Sequence, residues 1–150
     1  MKIIKAISEQ LIIKELAQAE FEQAYPLVHQ LRQALPLTDF LSVTAQMPGY
    51  RAFVLTDSDK ADKIVAYAGF AEQLNLYEGR HIFVYELVTD ETVRSQGYGK
   101  MLLSALTEEG KRLGCEMLVL TSGLQRVDAH RFYEEKMKLA RTSLVFRKEI

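Results

Sequence analysis

The chain has 150 residues, of which 48% are hydrophobic and 26% charged, and its 19 basic and 20 acidic side chains leave a formal net charge of −1. This length supports one sizeable core, so we expect a single domain over residues 1–150. The balanced charge argues against a protein that binds duplex nucleic acid through a basic face, and the longest apolar run, residues 64–71, is far shorter than the roughly 20 residues that cross a membrane.

The N-terminal third is expected to contain one or two short strands followed by two helices. Residues 3–17 have the composition of strands. The apolar positions of residues 21–33 follow helical spacing, which requires Pro26 to lie in the first turn or to kink the helix. A second helix is expected to follow Thr38 or Asp39, either of which can cap it, and to end before a Pro-Gly pair.

Three consecutive strands are predicted in the middle of the chain, at residues 50–56, 63–76 and 80–88. The turns between them are short and polar, and short turns join antiparallel neighbours. The three strands should therefore form an antiparallel meander. Gly69 inside the second strand indicates a β-bulge.

The pattern then changes to alternating helix and strand. Residues 99–113 have the apolar spacing of an amphipathic helix that stops at Gly114, and residues 117–121 form a continuous apolar strand of the kind buried on both faces. Strand, helix and strand in this order predict a right-handed parallel crossover. A last helix over residues 127–137 is expected to lead into a terminal strand near residues 142–149.

A loop with two glycines, RSQGYGK at residues 94–100, precedes the long helix. Unpaired N–H groups at a helix start, together with the helix dipole, favour an anion, and glycines let a phosphate approach the backbone closely. The loop is not a Walker A motif, because Met101 stands where Ser or Thr is required. It is not a dinucleotide fingerprint either, because Leu102 replaces the third glycine. On these residues alone, an anion site and a plain turn into a helix both stay open.

Two motifs flank the long helix. ELV at residues 86–88 is followed by RxxGxG at residues 94–99, and AHRFYE occupies residues 129–134 after the next strand. This arrangement resembles the acetyl-CoA-binding motif and the C-terminal helix motif of the GNAT superfamily of N-acetyltransferases. The resemblance implies an α+β GNAT (acyl-CoA N-acyltransferase) fold. Its mixed, mostly antiparallel sheet is flanked by helices and has a V-shaped splay between two parallel central strands.

The resemblance also implies an acetyl-CoA-dependent N-acetyltransferase that uses acetyl-CoA as co-substrate and needs no metal. The pantetheine arm would pair like an added strand with Leu87 and Val88. The pyrophosphate would lie on the glycine loop, whose matching residues are Arg94, Gln96, Gly97, Tyr98, Gly99 and Lys100. Arg126 stands where the family often has an Asn that touches the cofactor, and an Arg there could reach a phosphate instead.

The candidate catalytic residues are Tyr133 and Glu86. Tyr133 matches the tyrosine that in many members protonates the departing CoA thiolate, although the residues alone would favour a core aromatic. Glu86 is the one carboxylate in an apolar strand, where burial would raise its pKa and make it a general base for the amine. An outward-facing Glu bonded to a neighbour is the alternative. His81 and His130 are weaker candidates and are expected to be structural or exposed.

The expected reaction is direct attack of a primary amine on the thioester in a ternary complex. The acceptor is not readable from the sequence: a small amine, an antibiotic amine, a peptide N-terminus and a lysine all stay open. The alternative function is a non-catalytic acyl-CoA-binding regulatory domain. We expect no nucleic-acid or membrane partner, and a homodimer is compatible with the sequence. The first residues, MKIIKAISEQ, lack a signal-peptide core, so a cytoplasmic location is expected.

Overall fold

The computed structural model describes residues 1–150. The chain divides into two compact units, Met1–Val119 and Leu120–Ile150. The first unit carries most of the secondary structure, and the second carries the last helical segment. That both units belong to one domain stays a prediction.

One sheet contains every strand, and the strands lie side by side in chain order. They are β1 (Lys2–Ala6), β2 (Leu11–Glu15), β3 (Arg51–Asp57), β4 (Lys63–Asn75), β5 (Gly79–Thr89) and β6 (Met117–Leu120). Neighbours from β1 to β5 are antiparallel, and β6 is parallel to β5. The predicted meander and the parallel crossover are confirmed, and the N-terminal strand-like stretch forms two strands.

The α-helices are α1 (Tyr25–Leu31), α2 (Leu37–Gln46), α3 (Tyr98–Arg112) and α4 (Val127–Arg131), with a 3-10 helix at Gln18–Ala24 and a π-helical turn at Phe132–Lys136. Pro26 lies in the first turn of α1, as required. The capping prediction for α2 is wrong. Its N-cap is Pro36, and Thr38 and Asp39 both lie inside the first turn. The Asp39 carboxylate still stabilises the helix there, because its negative charge lies near the positive end of the helix dipole.

Two expectations for the C-terminal part are wrong. β6 is not buried on both faces, since Met117 is 53% exposed and the rest of the strand is half-buried. The predicted terminal strand does not form: residues 138–150 have no regular secondary structure, and residues 142–150 are exposed. A short apolar run that is not buried does not offset the conformational entropy of ordering a strand. The parallel pair therefore lies at the edge of the sheet, because no strand follows β6.

The sheet has helices on both faces. Val54, Tyr67 and Val88 point to the face covered by α1 and α2, in a cluster that includes Phe21 and Phe40. On the other face, α3 lies close enough that a Cβ on its Gly110 would be 3.1 Å from Ile82 Cγ1. Because side chains alternate along a strand, each strand of the meander contributes to both cores.

An ion cluster joins β2, β3 and α3. Arg51 Nε donates to Glu15 Oε1 at 2.7 Å and Arg51 Nη1 to Glu109 Oε1 at 2.7 Å, while Arg112 Nη2 lies 2.6 Å from the same Glu109 oxygen. The hydrogen bonds from Arg112 and Arg51 lower the pKa of Glu109 to about 2. A carboxylate whose pKa is lowered in the folded state stabilises the fold above its unfolded pKa, and this contribution disappears as the pH falls towards 2.

Glu109→Gln is accordingly expected to lower the free energy of unfolding by about 1–2 kcal/mol at pH 7. This loss is smaller than the lowered pKa alone would give, because Arg112 is largely exposed and solvent screens its interaction with Glu109. Urea denaturation at several pH values measures the difference from wild type, which should shrink between pH 5 and pH 2. Glu108→Gln, at the exposed neighbouring carboxylate that pairs with Lys5, is the control and should cost much less. A pH-independent difference would contradict the assigned ionic role.

Candidate active site

A β-bulge in β5 shapes the predicted catalytic strand. Gly69 of β4 pairs with Glu86, and Phe70 pairs with Val84, so Tyr85 has no partner opposite it. The register shift occurs at the predicted Gly69, but the extra residue belongs to β5. Both Tyr85 and Glu86 contact Tyr50, with ring centroids 5.9 Å apart in the first case and a hydrogen bond in the second. The bulge therefore presents two consecutive side chains on the same face of the sheet.

Glu86 is a largely buried carboxylate with two polar neighbours. Its side chain is 18% exposed, and its Oε2 accepts a hydrogen bond from the Tyr50 hydroxyl at 2.7 Å. The Arg32 guanidinium, through Nη2, lies 3.7 Å from Oε1. Burial raises the pKa of Glu86 above the ordinary value, against the opposing effects of Tyr50 and Arg32. The carboxylate can thus take up a proton closer to neutral pH than an exposed Glu can.

A chain of hydroxyl groups leads to this carboxylate. The Tyr50 and Tyr67 oxygens are 2.8 Å apart. A phenol has one hydrogen, and Tyr50 donates its hydrogen to Glu86, so Tyr67 must be the donor to Tyr50. Burial raises the pKa of both phenols, which keeps both protonated. Hydrogen bonds that follow one another in a chain polarise each other, so the chain from Tyr67 through Tyr50 strengthens the hydrogen bond that holds Glu86.

Gly69 leaves the space that this arrangement occupies. A Cβ built on Gly69 would lie 2.6 Å from Glu86 Oε2 and still closer to Tyr50 Oη. Any larger residue would push the phenol or the carboxylate aside. The glycine that the sequence indicated as a bulge residue therefore has a second role, because it admits the hydrogen bond between Tyr50 and Glu86.

Sequence reasoning identified Glu86 but missed Arg32, Tyr50 and Tyr67. Tyr67 carried a signal, since it places a hydroxyl in the middle of the most apolar run of the chain, where a buried polar atom needs a partner. Tyr50 and Arg32 carried none. They lie just before a strand and at the end of a short helix, far from Glu86 in the sequence.

The glycine loop forms the start of α3. Gly97 is the N-cap with φ 79°, and Ser95 also has a positive φ of 67°. The first backbone hydrogen bond of the helix runs from Met101 N to Gly97 O at 3.1 Å, so the N–H groups of the preceding turn have no helical partner. These groups belong to Tyr98, Gly99 and Lys100. Arg94 and Gln96 are exposed beside them. The loop thus has the geometry of an anion site.

Leu87 and Val88 pair with β4 through one edge of β5, opposite Ala68 and Tyr67. The other edge of β5 faces β6, which has four residues against 11 in β5. β6 begins beside the start of β5, where Glu116 N donates to Arg80 O at 3.1 Å. The edge of β5 at Leu87 and Val88 therefore extends past β6, as an added strand of ligand requires.

Tyr133 and Arg126 lie together in the second unit. Tyr133 is in the π-helical turn and is 9% exposed. Burial raises the pKa of its phenol, and the Arg126 guanidinium partly opposes this effect. A π-helical turn is a rare distortion that re-aims side chains, and such turns are frequent at functional sites.

The two histidines make backbone contacts. His81 is 1% exposed and has Nδ1 2.8 Å from Gly79 O, and His130 has Nε2 2.8 Å from Gly123 O. Both histidine rings thus have structural contacts with backbone carbonyl groups, as expected from the sequence. No group of three or more His, Cys, Asp or Glu side chains is arranged to hold a metal ion, and none of the helices is long and apolar enough to cross a membrane.

Comparison with known proteins identifies the family. The sequence model of the Acetyltransferase (GNAT) family matches residues 12–138. The chain belongs to the GNAT acetyltransferase family. It is 35% identical over 145 residues to the uncharacterized N-acetyltransferase YhdJ of Bacillus subtilis (strain 168), covering 95% of this chain and 97% of that protein. The family prediction made from the two motifs is confirmed.

Solved structures share the fold of this GNAT protein. Aminoglycoside N-acetyltransferase AAC(6')-Iy in complex with CoA superposes with a TM-score of 0.81 at 14% identity, over 97% of this chain and 99% of that chain. The ribosomal-protein-alanine N-acetyltransferase from Brucella melitensis biovar Abortus 2308 has a TM-score of 0.76 at 20% identity, over 92% and 99%. The predicted fold class, a mixed sheet flanked by helices, is confirmed.

Proposed function

We propose that this GNAT protein is an acetyl-CoA-dependent N-acetyltransferase that transfers the acetyl group to a primary amine within a ternary complex. The observation that carries the proposal is Glu86. A carboxylate whose pKa is raised by burial lies on the strand that leads to a glycine loop with the geometry of an anion site, and it is partly open to solvent. The same fold is seen with CoA bound in AAC(6')-Iy. An acid–base group beside a cofactor strand is what amine acylation requires.

In this proposal the backbone of the loop holds acetyl-CoA. The N–H groups at the start of α3 receive the pyrophosphate, and Arg94 and Lys100 supply positive charge near phosphates. Arg126 is a further cofactor contact in this proposal. The backbone of Leu87 and Val88 pairs with the pantetheine arm. The remaining loop positions of the cofactor site are Gln96, Gly97, Tyr98 and Gly99.

The reaction then requires the acceptor nitrogen to lose two protons and the CoA thiolate to gain one. An ammonium acceptor loses a proton to Glu86, directly or through a water, and the amine nitrogen attacks the thioester carbonyl carbon. A backbone N–H near Val88 stabilises the developing oxyanion. The C–N bond forms, and as the C–S bond breaks the Tyr133 hydroxyl protonates the CoA thiolate. The nitrogen, cationic after its attack, loses its second proton through water, and the Tyr133 phenolate takes up a proton from solvent in return. Most of the rate acceleration comes from holding the two substrates together.

The decisive test is release of the CoA thiol from acetyl-CoA in the presence of a broad panel of primary amines. We expect amine-dependent release together with the acetylated amine. Saturable binding of acetyl-CoA without thiol release from any amine would favour a non-catalytic acyl-CoA-binding domain instead. Absence of binding, measured by calorimetry, would overturn both functions.

Gly99→Val is expected to weaken acetyl-CoA binding by about tenfold or more while the protein stays folded. A branched side chain in the first turn of α3 would stand where the pyrophosphate approaches the N–H groups. Calorimetric titration with acetyl-CoA measures the loss. Ser104→Val places the same residue at an exposed position of the same helix and controls for its effect on helix stability. Equal affinities of the two variants would remove the loop from the binding site.

A further inference from the structure

Arg32 is held in a fixed position beside Glu86. It is the C-terminal cap of α1, and its backbone is bonded on both sides: Arg32 N donates to Val28 O at 2.9 Å, and Leu35 N donates to Arg32 O at 3.1 Å. The start of the side chain is therefore fixed by the helix end. This fixes the direction in which a long and flexible side chain leaves the backbone.

The bulge in β5 then positions the guanidinium. Arg32 Nη2 donates to Tyr85 O at 3.0 Å, and Tyr85 is the extra residue that has no partner opposite it in β4. The same distortion of the strand thus presents the Glu86 carboxylate and provides the carbonyl that anchors Arg32. The resulting separation of 3.7 Å between Arg32 Nη2 and Glu86 Oε1 allows electrostatic attraction but is too long for a hydrogen bond.

Arg32 keeps donors that the protein does not use. A guanidinium has five N–H groups, and the bond to Tyr85 uses one. The side chain is 48% exposed, so its other donors face solvent. The two arginines on the strands of the sheet are committed differently, since Arg51 and Arg80 each donate to a carboxylate oxygen at 2.7 Å or less. A fixed guanidinium with free donors beside a base has the chemistry of a binding site for an anionic group.

We propose that the acceptor is a small zwitterionic amine, whose ammonium lies at Glu86 and whose carboxylate or phosphonate is bound by Arg32. This inference rests on the proposed acetyltransferase function and specifies its substrate class. An acceptor with a second positive charge would bring that charge next to the guanidinium, whereas an anionic group offsets it. Glu86 and Arg32 together form a complement to a molecule that carries both charges.

The test compares matched acceptors that differ in one charge. β-Alanine and 2-aminoethylphosphonate carry an anionic group, whereas β-alaninamide and propylamine do not. We expect kcat/KM for both anionic acceptors to exceed that of the neutral pair by about tenfold or more, which corresponds to one charge-assisted interaction. The ranking of carboxylate against phosphonate identifies which anion the site prefers.

Arg32→Gln is expected to bring the preference for anionic acceptors to within about twofold, mainly through a higher KM for the acceptor. Arg32→Lys should retain part of the preference, because it keeps the charge but loses the planar fork. Lys5→Gln makes the same change of net charge on the opposite face of the sheet and should leave the preference intact. Thermal unfolding and acetyl-CoA binding of each variant confirm that the fold is preserved.

Two results would overturn the inference and leave the proposed function standing. The first is wild-type turnover of the neutral acceptors as fast as that of the anionic ones, or of a diamine faster still. The second is an Arg32→Gln protein that keeps the full preference. No acetyl transfer to any primary amine would overturn the proposed function, and the inference with it.

Discussion

Glu86→Gln is expected to lower kcat by about 10²- to 10³-fold, because it removes the group that takes the proton from the amine while keeping the size of the side chain. Affinity for acetyl-CoA should stay nearly unchanged. Burial raises the pKa of Glu86, so the wild-type rate should fall on the acidic side at a higher pH than an exposed Glu would give. A pH–rate profile with a good acceptor measures this limb, which should disappear in the variant.

Tyr50→Phe is the matched companion of this variant, since it keeps Glu86 and removes only the hydroxyl that donates to Oε2. A hydrogen bond to a carboxylate favours its charged form, so losing it should raise the pKa of Glu86 further. The acidic limb should therefore move to higher pH in Tyr50→Phe. An acidic limb that is the same in wild type, Glu86→Gln and Tyr50→Phe would exclude Glu86 as the titrating base.

Tyr133→Phe is expected to lower kcat by about 10²-fold while KM for acetyl-CoA barely changes. The substitution keeps the ring and its packing in the π-helical turn, and it removes only the proton that the leaving thiolate would receive. Steady-state kinetics with a good acceptor measure the effect. Because the substitution removes a single oxygen atom, it separates the two roles: kcat falls if Tyr133 is the acid and stays unchanged if Tyr133 is only a core aromatic.

Tyr77→Phe is the control for Tyr133→Phe, since Tyr77 is 77% exposed in the turn between β4 and β5. It should have wild-type kinetics. A Tyr133→Phe protein that is folded and has the wild-type kcat would leave Tyr133 with a packing role only, and the thiolate would then have to leave without a protein acid.

Local patterns predicted the central part of the fold well. The meander and the crossover follow from apolar runs of the right length between turns, and each of those runs also finds a partner in the folded sheet. The segment near residues 142–149 shows the limit of this reasoning. Its three consecutive apolar residues are of types that favour a strand, yet Leu144 and Phe146 are 65% and 88% exposed. A sequence pattern shows which secondary structure a segment can adopt, but the segment forms a strand only where it packs against a buried partner.

Part of the candidate site was predictable for a different reason. A carboxylate inside an apolar strand is locally anomalous, so Glu86 is conspicuous in the sequence itself. Tyr50 and Arg32 are ordinary where they occur in the sequence. They reach Glu86 because a bulge changes the face to which β5 directs its side chains, and single-sequence patterns do not encode where an extra residue is inserted.

Gly69 contributes to this site by having no side chain. An inventory of functional groups would omit it, because a hydrogen atom offers no acid, base or nucleophile. Nevertheless, the space above its Cα decides where Tyr50 and Glu86 can meet. The position of the proposed base on β5 therefore depends partly on the neighbouring strand β4, where Gly69 has no side chain to displace it. A protein engineer who wished to relocate the carboxylate without changing its chemistry would begin at Gly69 rather than at Glu86.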